Sequence, residues 1–299
     1  MPNLKEIRTR IASVESTQKI TSAMKLVSAA KLRRAQNAIV NLRPYSNKLN
    51  NIMEDLLTSV EIAEKYPLFA KREPENMVLV VITSNRGLCG AFNTNIIKEV
   101  HRITQEKYQH QYQENKLKLF CIGKKAVEQL QKNYEILYAN ESLLENPNYE
   151  EVAQLVSDLI DDFTQQKIDK IEFVYNSFVN PATQKITVDS FLPIENEREK
   201  EKGEGRREKG EGDISFIFEP SKEELMNELI PKILKIKLYK TLMDSIAAEH
   251  GARMTAMAKA TDNAIEILKE LKLKYNNARQ AAITNELNEI VSGAEALKN

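Results

Sequence analysis

The residues of this chain best placed to do chemistry follow its most apolar run. Met77 to Ile82 is uninterrupted hydrophobic sequence, and Ser84 to Asn93 then reads SNRGLCGAFN. A strand, a glycine-containing loop and a helix in that order is the arrangement that cradles phosphates. Such chemistry needs G-x-G-x-x-G or G-x-x-x-x-G-K-[ST], because the backbone must come close enough for its N–H groups to converge on the anion. Here only Gly87 and Gly90 are present, and the pair Gly123-Lys124 is followed by Lys125. The loop therefore reads as a tight turn whose glycines take unusual backbone angles, with Arg86 exposed for docking. His101, His110 and His250 stand far apart without metal-ligand spacing. Cys89 and Cys121 read as plain buried thiols, and no Ser/His/Asp or Cys/His grouping emerges. No catalytic residue, no metal and no cofactor is expected.

The totals point the same way. Among 299 residues, 43 basic side chains balance 43 acidic ones, so no net field marks a nucleic-acid binder. The balance is not local. Between Met1 and Lys48 ten basic residues (Lys5, Arg8, Arg10, Lys19, Lys25, Lys31, Arg33, Arg34, Arg43, Lys48) face only Glu6 and Glu15. Two thiols and no signal peptide lead us to expect a reduced, intracellular chain. The longest apolar run is far too short to cross a bilayer.

Whatever the function is, long helices must carry it. From about Ser221 to Asn299 the sequence has no proline after Pro231, and its apolar positions recur at threes and fours: Leu234, Leu238, Leu242, Ile246, Met254, Met257, Ile265, Leu268, Leu271, Tyr275, Ala278, Ala282, Leu287 and Ile290. That spacing makes one stripe on one very long helix, and the stripe needs a partner. About seventy helical residues at roughly 1.5 Å of rise each would reach about 100 Å, beyond the width of a domain. The partner is at the other end of the chain. After a possible N-cap at Asn3, Leu4, Ile7, Ile11 and Val14 keep heptad spacing, and apolar residues resume at Ile20, Met24, Val27 and Leu32. The register slips near Thr17 to Ile20: strict continuation puts Gln18, Thr21, Lys25 and Ser28 inward, so the seam either rotates or turns polar. Ala12, Ala23, Ala29, Ala30 and Ala35 would allow close helix approach. Pro44 is expected to kink or interrupt the helix before Leu49, Ile52, Met53, Leu56 and Leu57 resume it.

Between these helices the period changes. Met77–Thr83, Lys118–Gly123, Tyr134–Ala139, Ile171–Asn176 and Lys185–Leu192 read as strands, and helical patterns at 95–114, 124–132 and 149–166 separate most of them. Alternation of this kind implies an α/β domain with a mostly parallel, Rossmann-like sheet, closed by an antiparallel hairpin at NPATQ. Residues 195–213 contain EKGEG twice and read as a low-complexity insertion, followed by a short strand at ISFIFEPS. The expected organisation is a coiled-coil helix over 1–60, an α/β foot domain over 74–218 and a long coiled-coil helix over 221–299. The terminal helices run antiparallel and protrude. The second is longer, which leaves Ile283, Leu287, Ile290, Val291, Ala294 and Leu297 without an intrachain partner, a pattern that marks protein interfaces.

Three blocks carry a family resemblance: IRTRIASVESTQKITSAMKLVSAAKLRRAQ near the N-terminus, the loop SNRGLCGAFN, and the run from GARMTAMAKATDN to the C-terminus. Together they resemble the gamma subunits of F-type ATP synthases, the central rotor shaft. One position departs from the pattern, since GARM stands here where the family has AARM, at a helix-propensity cost of about 1 kcal/mol for Gly251. The resemblance implies a non-catalytic shaft seated in a hexamer of alpha and beta subunits. Its α/β foot would rest on a membrane-embedded c-ring with an epsilon subunit beside it. It also implies that Met24 and Lys25 lie near the acidic lever loop of the catalytic subunit, that Arg279, Gln280 and Thr284 make polar catch contacts with the same ring, and that Ile290, Val291, Ala294 and Leu297 form the bearing tip. The doubled EKGEG segment lies where the resemblance weakens and holds no cysteine, unlike the thiol-regulated insertion of chloroplast relatives. With no transit peptide at Met1, the expectation is a bacterial protein, peripheral on the cytoplasmic side of the inner membrane. Two other readings remain at this stage: a basic coiled-coil adaptor binding nucleic acid through residues 1–48, and an α/β enzyme with helical arms.

Overall fold

A computed structural model describes residues 4–56, 66–70, 72–194 and 222–296. The Asn3 cap, Leu57, the 195–213 insertion, the strand expected at ISFIFEPS and Leu297 lie outside those residues. The chain forms two compact units, one of residues 1–29 with 253–299 and the other of residues 30–252.

The second unit is built round a five-stranded sheet. Its strands are β1 (Met77–Ile82), β2 (Leu117–Ile122), β3 (Glu135–Asn140), β4 (Lys170–Asn180) and β5 (Thr183–Leu192), in the order β3-β2-β1-β4-β5. All pairs are parallel except β4 with β5, which form the antiparallel hairpin. Every residue of β1 is buried, as the central strand of a sheet covered on both faces must be. Helix α2 (Phe92–Glu106) lays Phe92, Ile96, Val100 and Ile103 on Met77, Leu79, Val81 and Leu119. A short α3 (Gln109–Gln113), α4 (Lys124–Leu130), α5 (Ser142–Glu145) and α6 (Tyr149–Thr164) fill the crossovers. Asn148 caps α6 by accepting a hydrogen bond from the Glu150 N–H at 3.0 Å. This is the α/β arrangement that the alternation of periods implies.

The terminal helices are α1 (Leu4–Leu56) and α7 (Lys222–Ala296). Pro44 lies inside α1 without interrupting it. A proline removes one backbone donor, and the burial of Ser46 and Leu49 immediately beyond it holds the helix through that gap. Within the second unit α1 and α7 share a core of Leu49, Ile233 and Ile236, flanked by Leu42 and Leu229. Of the alanines expected to allow close helix approach, Ala35 is buried, whereas Ala12, Ala23 and Ala30 are exposed. Further along, α7 packs on the sheet, where Ala248 and Ala252 join the cluster under Phe178. Asp244 fixes this contact by accepting from the Ser177 hydroxyl at 2.8 Å and from the Phe178 N–H at 3.3 Å. Gly251 passes the turn of the β4–β5 hairpin so closely that an added Cβ would lie 3.2 Å from Pro181 Cα.

A buried charge cluster pins α2 to β4. Glu172 is 3% exposed. Its Oε1 accepts from Lys107 Nζ and from the Tyr108 hydroxyl, each at 2.8 Å, and pairs with Lys170 Nζ at 2.8 Å. Burial alone would raise its pKa, but the bonds from Lys107, Lys170 and Tyr108 outweigh it and hold the carboxyl below its ordinary value.

Candidate functional site

In the first unit the two helices meet along one seam. On α7 the inward positions are Met257, Thr261, Ala264, Leu268, Leu271, Tyr275, Ala278 and Ala282, alternating steps of four and three, and all are buried or half-buried. Ile265, placed on the stripe by sequence, is 48% exposed because it stands one position beyond the seam residue Ala264. On α1 the inward positions are Leu4, Ile7, Ile11, Val14, Gln18, Thr21 and Ser28. Strict heptads therefore hold at Gln18, Thr21 and Ser28, where the seam turns polar, but not between them, where Met24 is half-buried and Lys25, expected inward, is exposed. Ile20 and Val27 are each 57% exposed, contrary to their place in the apolar pattern. The helices run antiparallel, with the Thr21 and Thr261 hydroxyls 2.8 Å apart and Lys272 Nζ 3.4 Å from Glu15 Oε1.

That register fixes where α1 stops covering α7. Leu4 falls opposite the neighbourhood of Ala282, and every described residue whose burial is given from Ile283 to Ala294 is exposed. Ile283, Leu287, Ile290 and Val291 are 47%, 57%, 67% and 56% exposed. Their spacing of i, i+4, i+7 and i+8 puts them on one face.

The residues singled out from sequence fall into separate groups. Met24 is half-buried and its carbonyl accepts from the Ser28 hydroxyl at 2.7 Å, while Lys25 is exposed. Arg279, Gln280 and Thr284 are exposed on α7, and the Thr284 hydroxyl donates to the Gln280 carbonyl at 3.0 Å. Because Thr21 meets Thr261, Met24 lies beside α7 residues about twenty positions before Arg279. The two groups are therefore about 30 Å apart along the helices. Ile290, Val291 and Ala294 sit on the uncovered end. Periodicity missed the outward residues Ile20, Leu26 and Val27, the second being 69% exposed. The signal that finds them is the break in heptad spacing after Val14.

The loop after β1 bonds both to itself and to the opening of α4, the helix that follows β2. The N–H groups opening α4 are those a phosphate would need, yet Lys124 N donates to Asn85 Oδ1 at 3.1 Å, Lys125 N to the Ser84 carbonyl at 3.1 Å and Ala126 N to Thr83 Oγ1 at 2.9 Å. Asn93 accepts from Ser84 N at 3.0 Å and donates to Ser84 Oγ at 2.8 Å. Gly90 has φ +63° and Gly123 φ +107°, where an added Cβ would lie 2.8 Å from the Thr83 carbonyl oxygen. Leu88 also takes a positive φ, of 61°, and is 66% exposed. Gly123 is packed on neighbouring backbone, whereas Gly87 and Gly90 border open space and Gly90 serves the turn through its positive φ. Among the described residues no group of three or more His, Cys, Asp or Glu could hold a metal ion.

The chain is matched from end to end by known proteins. The family model described as ATP synthase matches residues 3–297. A protein of Cytophaga hutchinsonii called ATP synthase gamma chain is 48% identical over 300 residues, covering 100% of both chains. Another of that name, from Flavobacterium johnsoniae, is 49% identical over 297 residues, covering 99% of each. The chain belongs to the ATP synthase gamma chain family. Among solved structures, a chain from the Euglena gracilis mitochondrial ATP synthase OSCP/F1/c-ring assembly superposes with a TM-score of 0.65 at 21% identity, covering 98% of this chain and 94% of that one. A chain from the central stalk/c-ring structure of Tetrahymena thermophila gives 0.59 at 24% identity, covering 81% and 99%. These two likenesses show a shared fold. No described helix is long and apolar enough to cross a membrane.

Proposed function

We propose that this gamma-chain family member is the non-catalytic central-stalk rotor of its ATP synthase, carrying rotation between an ion-driven membrane ring and the catalytic hexamer. The observation that carries the reading is the uncovered end of α7, whose apolar face runs on past the last residue that α1 covers. An apolar face of this kind is stable in water only when other subunits sheathe it. The occupants are the alpha and beta subunits, with Ile290, Val291, Ala294 and Leu297 as the bearing tip. Met24 and Lys25 form one coupling contact with the catalytic ring, and Arg279, Gln280 and Thr284 form the other. The second unit is the foot, set on the c-ring with an epsilon subunit beside it, on the cytoplasmic side of a bacterial inner membrane.

The physics favours weak contacts. A shaft drives its partners through differential contact energy between their conformations. Exposed ion pairs are worth roughly 0–1 kcal/mol each, so charges such as Lys25 and Arg279 attract without trapping the rotor. The seam of the shaft is made of main-chain-bonded helices and does not have to break for rotation.

The test is reconstitution. The full chain mixed with purified alpha and beta subunits should co-assemble and raise the ATPase turnover of the ring. An unchanged turnover with no complex on gel filtration removes the reading. Arg279→Ala/Gln280→Ala should lower coupled turnover while leaving the far-UV circular dichroism unchanged, and full turnover in that variant would show the catch contacts to be wrongly placed.

A further inference from the structure

We propose that residues 17–28 of α1 are a two-register element, able to present either of two stripes to α7. The observed register turns Gln18, Thr21 and Ser28 inward and leaves Ile20 and Val27 outside, each 57% exposed, while Met24 is already half-buried in place of the exposed Lys25. The alternative set is Thr17, Ile20, Met24 and Val27, one residue earlier at every position, with the same three-four-three spacing. One residue is about 100° of helix rotation, so turning this segment by that angle exchanges a polar stripe for an apolar one. Continuing from Val14 into Thr17 replaces a step of four residues by one of three, a stammer, which locally overwinds the pair.

Three features make the exchange accessible. First, each inward hydroxyl has a partner in its own helix: Thr21 donates to the Gln18 carbonyl at 3.1 Å, Ser28 to the Met24 carbonyl at 2.7 Å and Thr261 to the Met257 carbonyl at 2.8 Å. The bond across the seam between them, from Thr261 to Thr21 Oγ1 at 2.8 Å, can therefore be released without leaving a hydroxyl unpartnered. Thr17, which the rotation would bring inward, is likewise bonded to the Ser13 carbonyl at 3.0 Å. No polar group is stranded in either state. Second, the facing α7 residues Met257, Thr261 and Ala264 are flexible or small and tolerate either neighbour. Third, the apolar gain of burying Ile20 and Val27 opposes the twist, so the two states are held near balance, as a bistable element requires. Because overwinding is torsion, an applied twist of one sense favours the alternative register. The inference rests on the helix pair alone and stands whether or not the coupling contacts proposed above are correct.

Disulfide trapping in the full-length chain tests it, since a bridge forms only when Cα atoms come within about 7 Å. Thr261→Cys is combined in turn with Thr21→Cys, Ile20→Cys and Lys19→Cys, the last facing away from α7 in both registers. The native Cys89 and Cys121 are both buried, and peptide mapping identifies the bridges. The 21/261 pair should oxidise fastest, and the 20/261 pair about tenfold faster than 19/261. Adding Gln18→Leu and Ser28→Leu, which makes the observed seam more apolar, should slow 20/261 about threefold. Unchanged far-UV circular dichroism confirms that each variant keeps its helices. Oxidation of 20/261 no faster than 19/261, or no slowing by the leucine pair, overturns the proposal.

Discussion

At the scale of single residues, one buried and one half-buried carboxylate have opposite pH signatures. Glu172 is held below its ordinary pKa by Lys107, Lys170 and Tyr108 against the opposing effect of burial. Its contribution is thus complete above the unfolded-state value near 4.5 and is lost as pH falls through the lower folded value. Glu172→Gln should cost about 2 kcal/mol at neutral pH, since it leaves Lys107 and Lys170 round an uncharged group, and should flatten the acid limb of the stability curve in urea titrations. Asp244 is the reverse case. Burial raises its pKa despite the bonds from Ser177 and Phe178 and the nearby charges of Lys240 and Arg43. The folded state holds that proton more tightly, so stability declines as pH rises from the ordinary value of 3.8 through the raised one. Asp244→Asn keeps an acceptor for Ser177 and Phe178, and thermal melts across pH should show that decline gone and stability at pH 7 no lower than the parent's. Neither carboxylate stands out in the sequence, because nothing local to Glu172 announces that Lys107 and Tyr108, more than sixty residues away, will converge on it.

At the scale of elements, Gly251 shows how propensity and packing compete. Sequence marks it as a weak point of a long helix, worth about 1 kcal/mol relative to alanine. The structure supplies the counterweight: a Cβ would lie 3.2 Å from Pro181 Cα and 3.3 Å from Phe178 Cε2. A surface turn can yield by a few tenths of an ångström, so Gly251→Ala should raise stability by about 0.5 kcal/mol, the propensity gain less the strain. Gly251→Val, adding two further methyl groups against the same turn, should lower it by about 1–3 kcal/mol. Equilibrium urea unfolding of both variants checks the sign and the order. The same competition decides the α1 seam. Hydrophobicity alone would choose Ile20, Met24 and Val27, whereas continuity of the heptad from Val14 chooses Gln18 and Thr21, whose hydroxyl and amide cost little in a half-wet seam.

At the scale of the molecule, the uncovered end of α7 should separate folding from function. Residues 283–294 bury almost nothing in the chain itself. Truncation after Ala282 should therefore leave the urea midpoint unchanged to within about 0.5 kcal/mol, as expected where no buried contact is lost. The same truncation should lower the ATPase turnover of the reconstituted ring severalfold, because the lost surface belongs to the assembly. A fall in the chain's own stability would show that α7 is anchored within the chain beyond Ala282.

The amino-acid sequence by itself determined the antiparallel long helices, the alternating α/β middle and the exposed apolar end, because period and length are local properties that a chain displays before it folds. It also carried the family, through the three blocks at its ends and after its first strand. Only the tertiary structure decided which of two stripes on α1 faces α7, how the loop after β1 takes up the N–H groups that open α4, and how a glycine tolerates the middle of a long helix. Each of those outcomes is set by contacts between residues remote in sequence, where small differences in packing outweigh local preference.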